Sequence, residues 1–295
     1  MTTFFNNKKI LFIGDSLTAA HQYPEFVREF LGCESLYHAK GGIGTVAAVD
    51  GDRGLGGHYD NITAASGVLA PLSADEVKDL AQVVLFCGYN DRGKPDGNVG
   101  DCYAPEGGEN TIAGITQYAI NRVRETLEKA GNADCPILLV TVDCAGKYSW
   151  IDADGYEDWP KGSGRTMETL ANTQVAVAEA SGIPSLDLWH DPAFCRETWA
   201  IYGADPLAVN EKYARYPLDE NGKPLSDEPL RYVGGQTYRQ IRDGKVVEEV
   251  YPIESPAYGS APYPFNRDQV HKSSAGYRKI AELISEKLSE LHPEC

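Results

Sequence analysis

Five short apolar runs punctuate the chain, separated by longer segments of helical period. They are Lys9–Ile13, Ser35–Ala39, Val83–Cys87, Ile137–Thr141 and Ser185–Leu188. Runs that are apolar on both faces are the pattern of parallel strands covered by helices on each side. Val83–Cys87 and Ile137–Thr141 fit that pattern best, whereas Ser35–Ala39 is weaker and Ser185–Leu188 short. Between the runs, the spacing predicts helices over roughly Pro24–Leu31, Ile112–Ala130, Met167–Ser181 and Ser274–Leu291. In the last of these Tyr277, Ile280, Ala281, Ile284 and Leu288 fall on one stripe, the signature of a helix facing a core. Ser273 or Ser274 is placed to cap it. Strand alternating with helix predicts an α/β protein, a three-layer α/β/α sandwich around a central parallel sheet of about five strands.

The connections carry more information than the elements. The long stretches rich in Gly, Asp and Tyr, at 40–62, 88–110, 142–165 and 189–267, all follow strands. In an open parallel sheet such loops gather at the carboxyl ends of the strands, where these folds place their sites. The stretch from about 190 to 266 exceeds anything a minimal α/β domain needs and holds eight tyrosines. A structureless loop of that length is improbable in a compact domain. The expectation is therefore one domain over 1–295 with an ordered insertion or lid at about 190–266. Within it, Gln240–Val247 reads as a β-hairpin around Asp243-Gly244.

Composition narrows the function classes. The 295 residues are 42% hydrophobic and 24% charged, the balance of an ordinary globular protein. A formal net charge of -16 repels phosphates and anionic head groups, so neither nucleic acid nor a membrane is the expected partner. No segment approaches the roughly 18 apolar residues of a membrane span. The N-terminus runs straight into the first strand, without the apolar core and cleavage site of a signal peptide. Seven scattered cysteines without a Cys-x-x-Cys pair point to reduced thiols in a cytoplasmic protein rather than a disulfide framework or zinc site. Asp50-Gly51-Asp52, Asp152-Ala153-Asp154 and Asp219-Glu220-Asn221-Gly222 lack the closing glutamate of a calcium loop and read as polar turns.

Four short motifs carry chemistry. Ile13-Gly14-Asp15-Ser16-Leu17 stands where the first strand ends. A serine there is exposed at the sheet edge, beside a helix N-terminus and turn amides suited to developing negative charge. Alone, the motif is equally well a Ser/Asp helix cap after a glycine turn. Gly41-Gly42-Ile43-Gly44-Thr45 follows the second strand, where glycine allows close backbone approach to a ligand. It lacks the Gly-Lys-Ser/Thr ending of a phosphate loop. Gly88-Tyr89-Asn90-Asp91 follows the third strand, and its Asn90 amide can donate into the same space as Ser16. Asp268-Gln269-Val270-His271 precedes the last helix. A serine nucleophile needs a base, and an imidazole base needs an acceptor on its other nitrogen, which an Asp three residues away can supply. The other histidines (His21, His38, His58, His190 and His292) are assigned to surface or packing positions.

Together these blocks resemble the SGNH hydrolases, the GDSL-type esterases and lipases, in motif order and in placement at strand ends. The resemblance spans the chain apart from 190–266 and implies a flavodoxin-like sandwich with no metal or organic cofactor. It implies Ser16 as nucleophile, His271 as general base and then acid, and Asp268 as its orienting partner. The implied oxyanion hole comprises the Ser16 amide, the Asn90 side chain and a glycine amide, Gly42 or alternatively Gly44. Asp15, Tyr89 and Asp91 are further expected to contact substrate. The family acts on short-chain esters, lipids, thioesters and acetylated sugars. Trp189, Trp199, Tyr148, Trp150, Tyr156 and Trp159 flank the long loops. Aromatic rings with polar tips suit sugar faces, and equally suit the core of the insertion itself. The expected partner is a small-molecule or carbohydrate ester. A ligand-binding module on the same fold is the alternative from a different class.

Overall fold

The structure is a computed structural model that describes residues 4–51, 68–105, 110–143, 167–194, 198, 202, 231–234, 237–242, 245–250, 271–272 and 274–293. It divides into two compact units. The first comprises Met1–Asp143, Met167–His190 and Ile280–Cys295, and the second Cys144–Thr166 and Asp191–Lys279. The expected insertion at 190–266 falls almost wholly in the second.

The first unit is built on a five-stranded parallel sheet of order β2-β1-β3-β4-β5. Its strands are β1 (Lys9–Gly14), β2 (Glu34–Ala39), β3 (Leu80–Phe86), β4 (Ile137–Val140) and β5 (Ser185–Leu186). All five predicted strands are present, in the α/β architecture that the alternation implied. β5 is shorter than its apolar run because Asp187 turns the chain: its Oδ1 accepts from the amides of Trp189 and His190 at 3.1 and 3.3 Å, a side-chain-stabilised turn.

Helices cover both faces. In chain order they are α1 (Ser16–Ala19), α2 (Gln22–Leu31), α3 (Thr45–Asp50), α4 (Ala74–Val77), α5 (Ile112–Lys129), α6 (Met167–Ala180) and α7 (Ser274–Leu291). Side chains alternate across a strand, and the core divides accordingly. Leu11, Ile13, Val83, Leu85, Ile137 and Leu139 pack with residues of α3, α4, α5 and α6. Phe12 and Phe86 point to the other face, where each meets the Tyr23 ring of α2 at 5.7 Å. The apolar stripe read for α7 is buried from Tyr277 to Leu288. Of its two candidate caps, Ser274 is the first helical residue and Ser273 lies outside the described residues.

In the second unit, β6 (Arg231–Gly234), β7 (Thr237–Arg242) and β8 (Lys245–Val250) form an antiparallel sheet. The register of β7 and β8 closes on Arg242 opposite Lys245, which leaves the two-residue connection of the predicted hairpin. That hairpin is longer than its apolar pattern suggested and pairs with a third strand.

Candidate active site

The edge where β1, β2 and β3 end is held in register: Gly14 lies opposite both Ala39 and Phe86. The turns that follow these three strands carry Ser16, the glycine-rich motif and Asn90. Gly14 has no room for a side chain. A Cβ there would stand 1.9 Å from Thr18 Oγ1 and 2.6 Å from the Phe86 carbonyl oxygen. Thr18 shares a 2.9 Å hydrogen bond with the Tyr23 hydroxyl, so the first turn of α1 is drawn down onto the core.

Asp15 is the N-cap of α1, and its buried carboxylate accepts from the Leu17 amide at 3.1 Å. This is the standard capping bond to the second helical residue. The cap reading of Gly-Asp-Ser therefore accounts for the aspartate and leaves the serine unexplained by it. Ser16 is the first residue of α1 and is partly exposed at the strand edge.

The loop after β3 is fastened on two sides. Tyr89 is buried, and its hydroxyl donates to Asp143 at the end of β4, to the carbonyl at 2.6 Å and to the carboxylate. The same oxygen accepts from the Asp143 amide at 3.1 Å. From α6, the Gln174 amide donates to the Cys87 carbonyl at 2.7 Å and accepts from the Val142 amide at 3.1 Å. Toward β2, Asn90 Nδ2 donates to the Ile43 carbonyl at 2.8 Å. Asp91 Oδ2 accepts from the Thr45 amide at 2.7 Å. Burial raises the Asp91 carboxyl above its ordinary range, against the hydrogen bonds from Thr45. Burial, with the nearby charges of Asp15 and Asp91, raises the Cys87 thiol well above its own.

Asp15, Tyr89 and Asp91, expected to contact substrate, are 1%, 2% and 5% exposed, and each bonds a partner inside the protein. Both candidate glycines have reasons to be glycine. Gly42 adopts φ +80°, a left-handed conformation that favours it. At Gly44 a Cβ would lie 2.5 Å from Asp91 Oδ1.

Ser16, the glycine loop and Asn90 thus belong to one strand edge of the first unit. His271 is partly buried and belongs to the second unit, while Asp268 lies outside the described residues. Trp189 is buried, which removes it from the aromatic groups available to a ligand; Tyr148, Trp150, Tyr156, Trp159 and Trp199 fall outside the described residues. The aspartates read as polar turns include Asp50, which binds the Tyr118 hydroxyl at 2.6 Å and Arg122 Nε at 3.0 Å on α5. Among the described residues, no group of three or more His, Cys, Asp or Glu is arranged to hold a metal ion. No helix among them is long and apolar enough to cross a membrane.

His190, read as a surface or packing residue, is exposed, with both ring nitrogens engaged. Its Nδ1 lies 2.7 Å from Asp187 and its Nε2 3.1 Å from Glu168. Burial opposes the charged ring, but the two carboxylates outweigh it and hold the imidazole pKa above the ordinary histidine value. Asp187-Leu188-Trp189-His190 has the same Asp-x-x-His spacing as 268–271.

The chain matches no family model and no curated protein sequence. It does match solved structures over nearly its whole length. One is a possible lipase from Chitinophaga pinensis, 19% identical, with 98% of this chain and 100% of that chain covered and a TM-score of 0.56. Another is a protein from Lactobacillus plantarum, 16% identical, covering 97% and 98% of the two chains with a TM-score of 0.51. The chain has the α/β fold of these proteins.

Proposed function

We propose that this protein is a serine ester hydrolase of the SGNH type, with Ser16 as nucleophile, His271 as general base and Asp268 as the group that orients it. The observation that carries the reading is the shared carboxyl edge of β1, β2 and β3. It gathers Ser16, the Gly42–Gly44 loop and Asn90, and Asn90 is bonded across to that loop at Ile43. Two things support it further: the order of the four motifs, and a fold shared with a protein described as a possible lipase.

His271 takes the hydroxyl proton as Ser16 Oγ attacks the ester carbonyl. The Ser16 amide, a loop glycine amide and Asn90 Nδ2 stabilise the oxyanion, preorganised donors being the largest single catalytic effect in such reactions. The alcohol leaves with the proton from His271. Water, deprotonated by His271, then cleaves the acyl-enzyme and regenerates the serine.

His190 is the competing base by spacing, and its geometry argues against it. Both ring nitrogens are held by carboxylates, and it follows β5, three strands from β1. At about 4.8 Å per strand that is roughly 14 Å from the serine's strand.

Within the class, the substrate reading is a short acyl ester of a carbohydrate. It rests on the tyrosine-rich 190–266 stretch and on the lack of a long aliphatic run suited to an acyl chain; the buried Trp189 lends it nothing. The test is a panel of acetylated sugars and aryl esters of increasing chain length, assayed with the wild type and with Ser16→Ala. Hydrolysis that disappears in Ser16→Ala is expected. Activity retained by that variant excludes the mechanism, and a preference for long acyl chains excludes the carbohydrate reading.

A further inference from the structure

We propose that Asp91 is a positioning residue for catalysis: its buried carboxylate fixes the peptide plane between Gly44 and Thr45, as Asn90 fixes the one before Gly44, and so holds the oxyanion loop in its working geometry. This rests on the esterase reading above.

The argument starts from how unusual the group's place is. A turn aspartate is ordinarily solvated, and burying a carboxylate is strongly unfavourable unless it is well bonded. Asp91 is buried nonetheless, with Thr45 bonding it through both its amide and its side chain. A Cβ on Gly44 would stand 2.5 Å from the other carboxylate oxygen, Oδ1, so no side chain fits there.

Its neighbour completes the grip. Asn90 Nδ2 holds the Ile43 carbonyl, which belongs to the peptide joining Ile43 to Gly44. Asp91 holds the Thr45 amide, which belongs to the peptide joining Gly44 to Thr45. Peptide units are planar, so these two bonds orient both planes flanking Gly44 and leave its two dihedrals little freedom. Two adjacent side chains of the β3 loop therefore set the backbone of the β2 loop, the loop that faces Ser16's turn across the strand ends. Loss of the Asp91 bond releases one plane while Asn90 and the serine stay in place.

A purely structural role would make Asp91 only a cap for α3, whose N-cap Gly44 offers no side chain. Kinetics separate the two. In the full-length protein, Asp91→Ala is expected to lower kcat on an aryl acetate by roughly ten- to hundredfold, less than outright removal of an oxyanion donor. KM should stay within about threefold, since loop geometry acts on the transition state. The rate at which a fluorophosphonate labels Ser16 should fall with kcat, because phosphonylation uses the same donors. Asp91→Asn keeps an oxygen for the Thr45 amide and should restore most of the rate. Asp50→Asn provides the control: it loosens the far end of α3, where Asp50 bonds Tyr118 and Arg122, and should lower stability with kcat unchanged.

If Asp91→Ala and Thr45→Val both lose stability while keeping wild-type kcat per folded molecule, as Asp50→Asn does, Asp91 is a cap and the proposal is overturned. Should Asp91→Ala not fold, Asp91→Ser decides, its side chain being too short to hold the Thr45 amide, with a kcat loss expected and an unchanged kcat overturning the claim. A wild-type protein that neither hydrolyses esters nor takes label overturns the esterase reading and this proposal together.

Discussion

Asp187 and His190 stand three residues apart, and Nδ1 of the imidazole lies 2.7 Å from the carboxylate. That is the geometry expected of Asp268 and His271, whose spacing is the same. The second nitrogen of His190 is also engaged, by Glu168 at 3.1 Å. A base with both nitrogens engaged has no lone pair to offer a serine. His190→Gln is accordingly expected to keep kcat within about twofold, whereas His271→Gln loses at least a thousandfold, in line with removal of a triad member. Comparable losses in both variants, measured on one ester under saturating conditions, would contradict the assignment.

The same cluster predicts a pH effect on stability. Burial disfavours the charged ring of His190, but the two carboxylates outweigh it and hold its folded-state pKa above the ordinary histidine value of about 6.5. Its contribution is therefore fully present below about pH 6.5 and is lost as pH rises through the higher folded value. The difference in Tm between wild type and His190→Gln should be larger at about pH 6 than at about pH 8.5. A difference that grows with pH would mean the imidazole is held neutral. The pair is partly solvated, so the effect is modest.

In the proposed mechanism Asn90 has two tasks, donation to the oxyanion and the observed bond to Ile43. Asn90→Ala should lower kcat by on the order of 10²–10³, the usual loss for an oxyanion donor, with Tm little changed. A loss confined to KM would show that Asn90 binds substrate without stabilising the transition state.

Gly14 tests the floor of the site. A methyl group there would collide with Thr18 Oγ1 and with the Phe86 carbonyl. The first can rotate away at the expense of its bond to Tyr23, and the second is backbone. Gly14→Ala is expected to cost roughly 1–3 kcal/mol in urea unfolding, the range of an overpacked core, and to reduce activity by shifting Ser16's turn.

The sheet was legible because its strands are covered on both faces, so Val83–Phe86 and Ile137–Val140 are apolar throughout and need no partner to identify them. The short helices α1, α3 and α4 were not. With four to six residues each, they are too short to show a helical period, and their ends are set by Asp15, Asp91 and Ser73 rather than by pattern. Ser16 and Asn90 were placed at strand ends by their motifs, and they stand directly after β1 and β3; their catalytic roles belong to the proposed function. The burial of Asp15, Tyr89 and Asp91 was not legible, because polar residues in turns ordinarily face solvent; it follows from partners at Leu17, Asp143 and Thr45. For Tyr89 and Asp91 those partners are 54 and 46 residues away. The pairing of His190 with Glu168 was not legible for a similar reason: the two are 22 residues apart along the chain.

The most direct measurement is covalent. The wild-type protein is treated with a fluorophosphonate, digested, and the modified peptide located by mass spectrometry. The account predicts one adduct per chain on Ser16, absent in Ser16→Ala and much slower to form in His271→Gln. No adduct under conditions that label a known serine esterase, or an adduct on another residue, would contradict it.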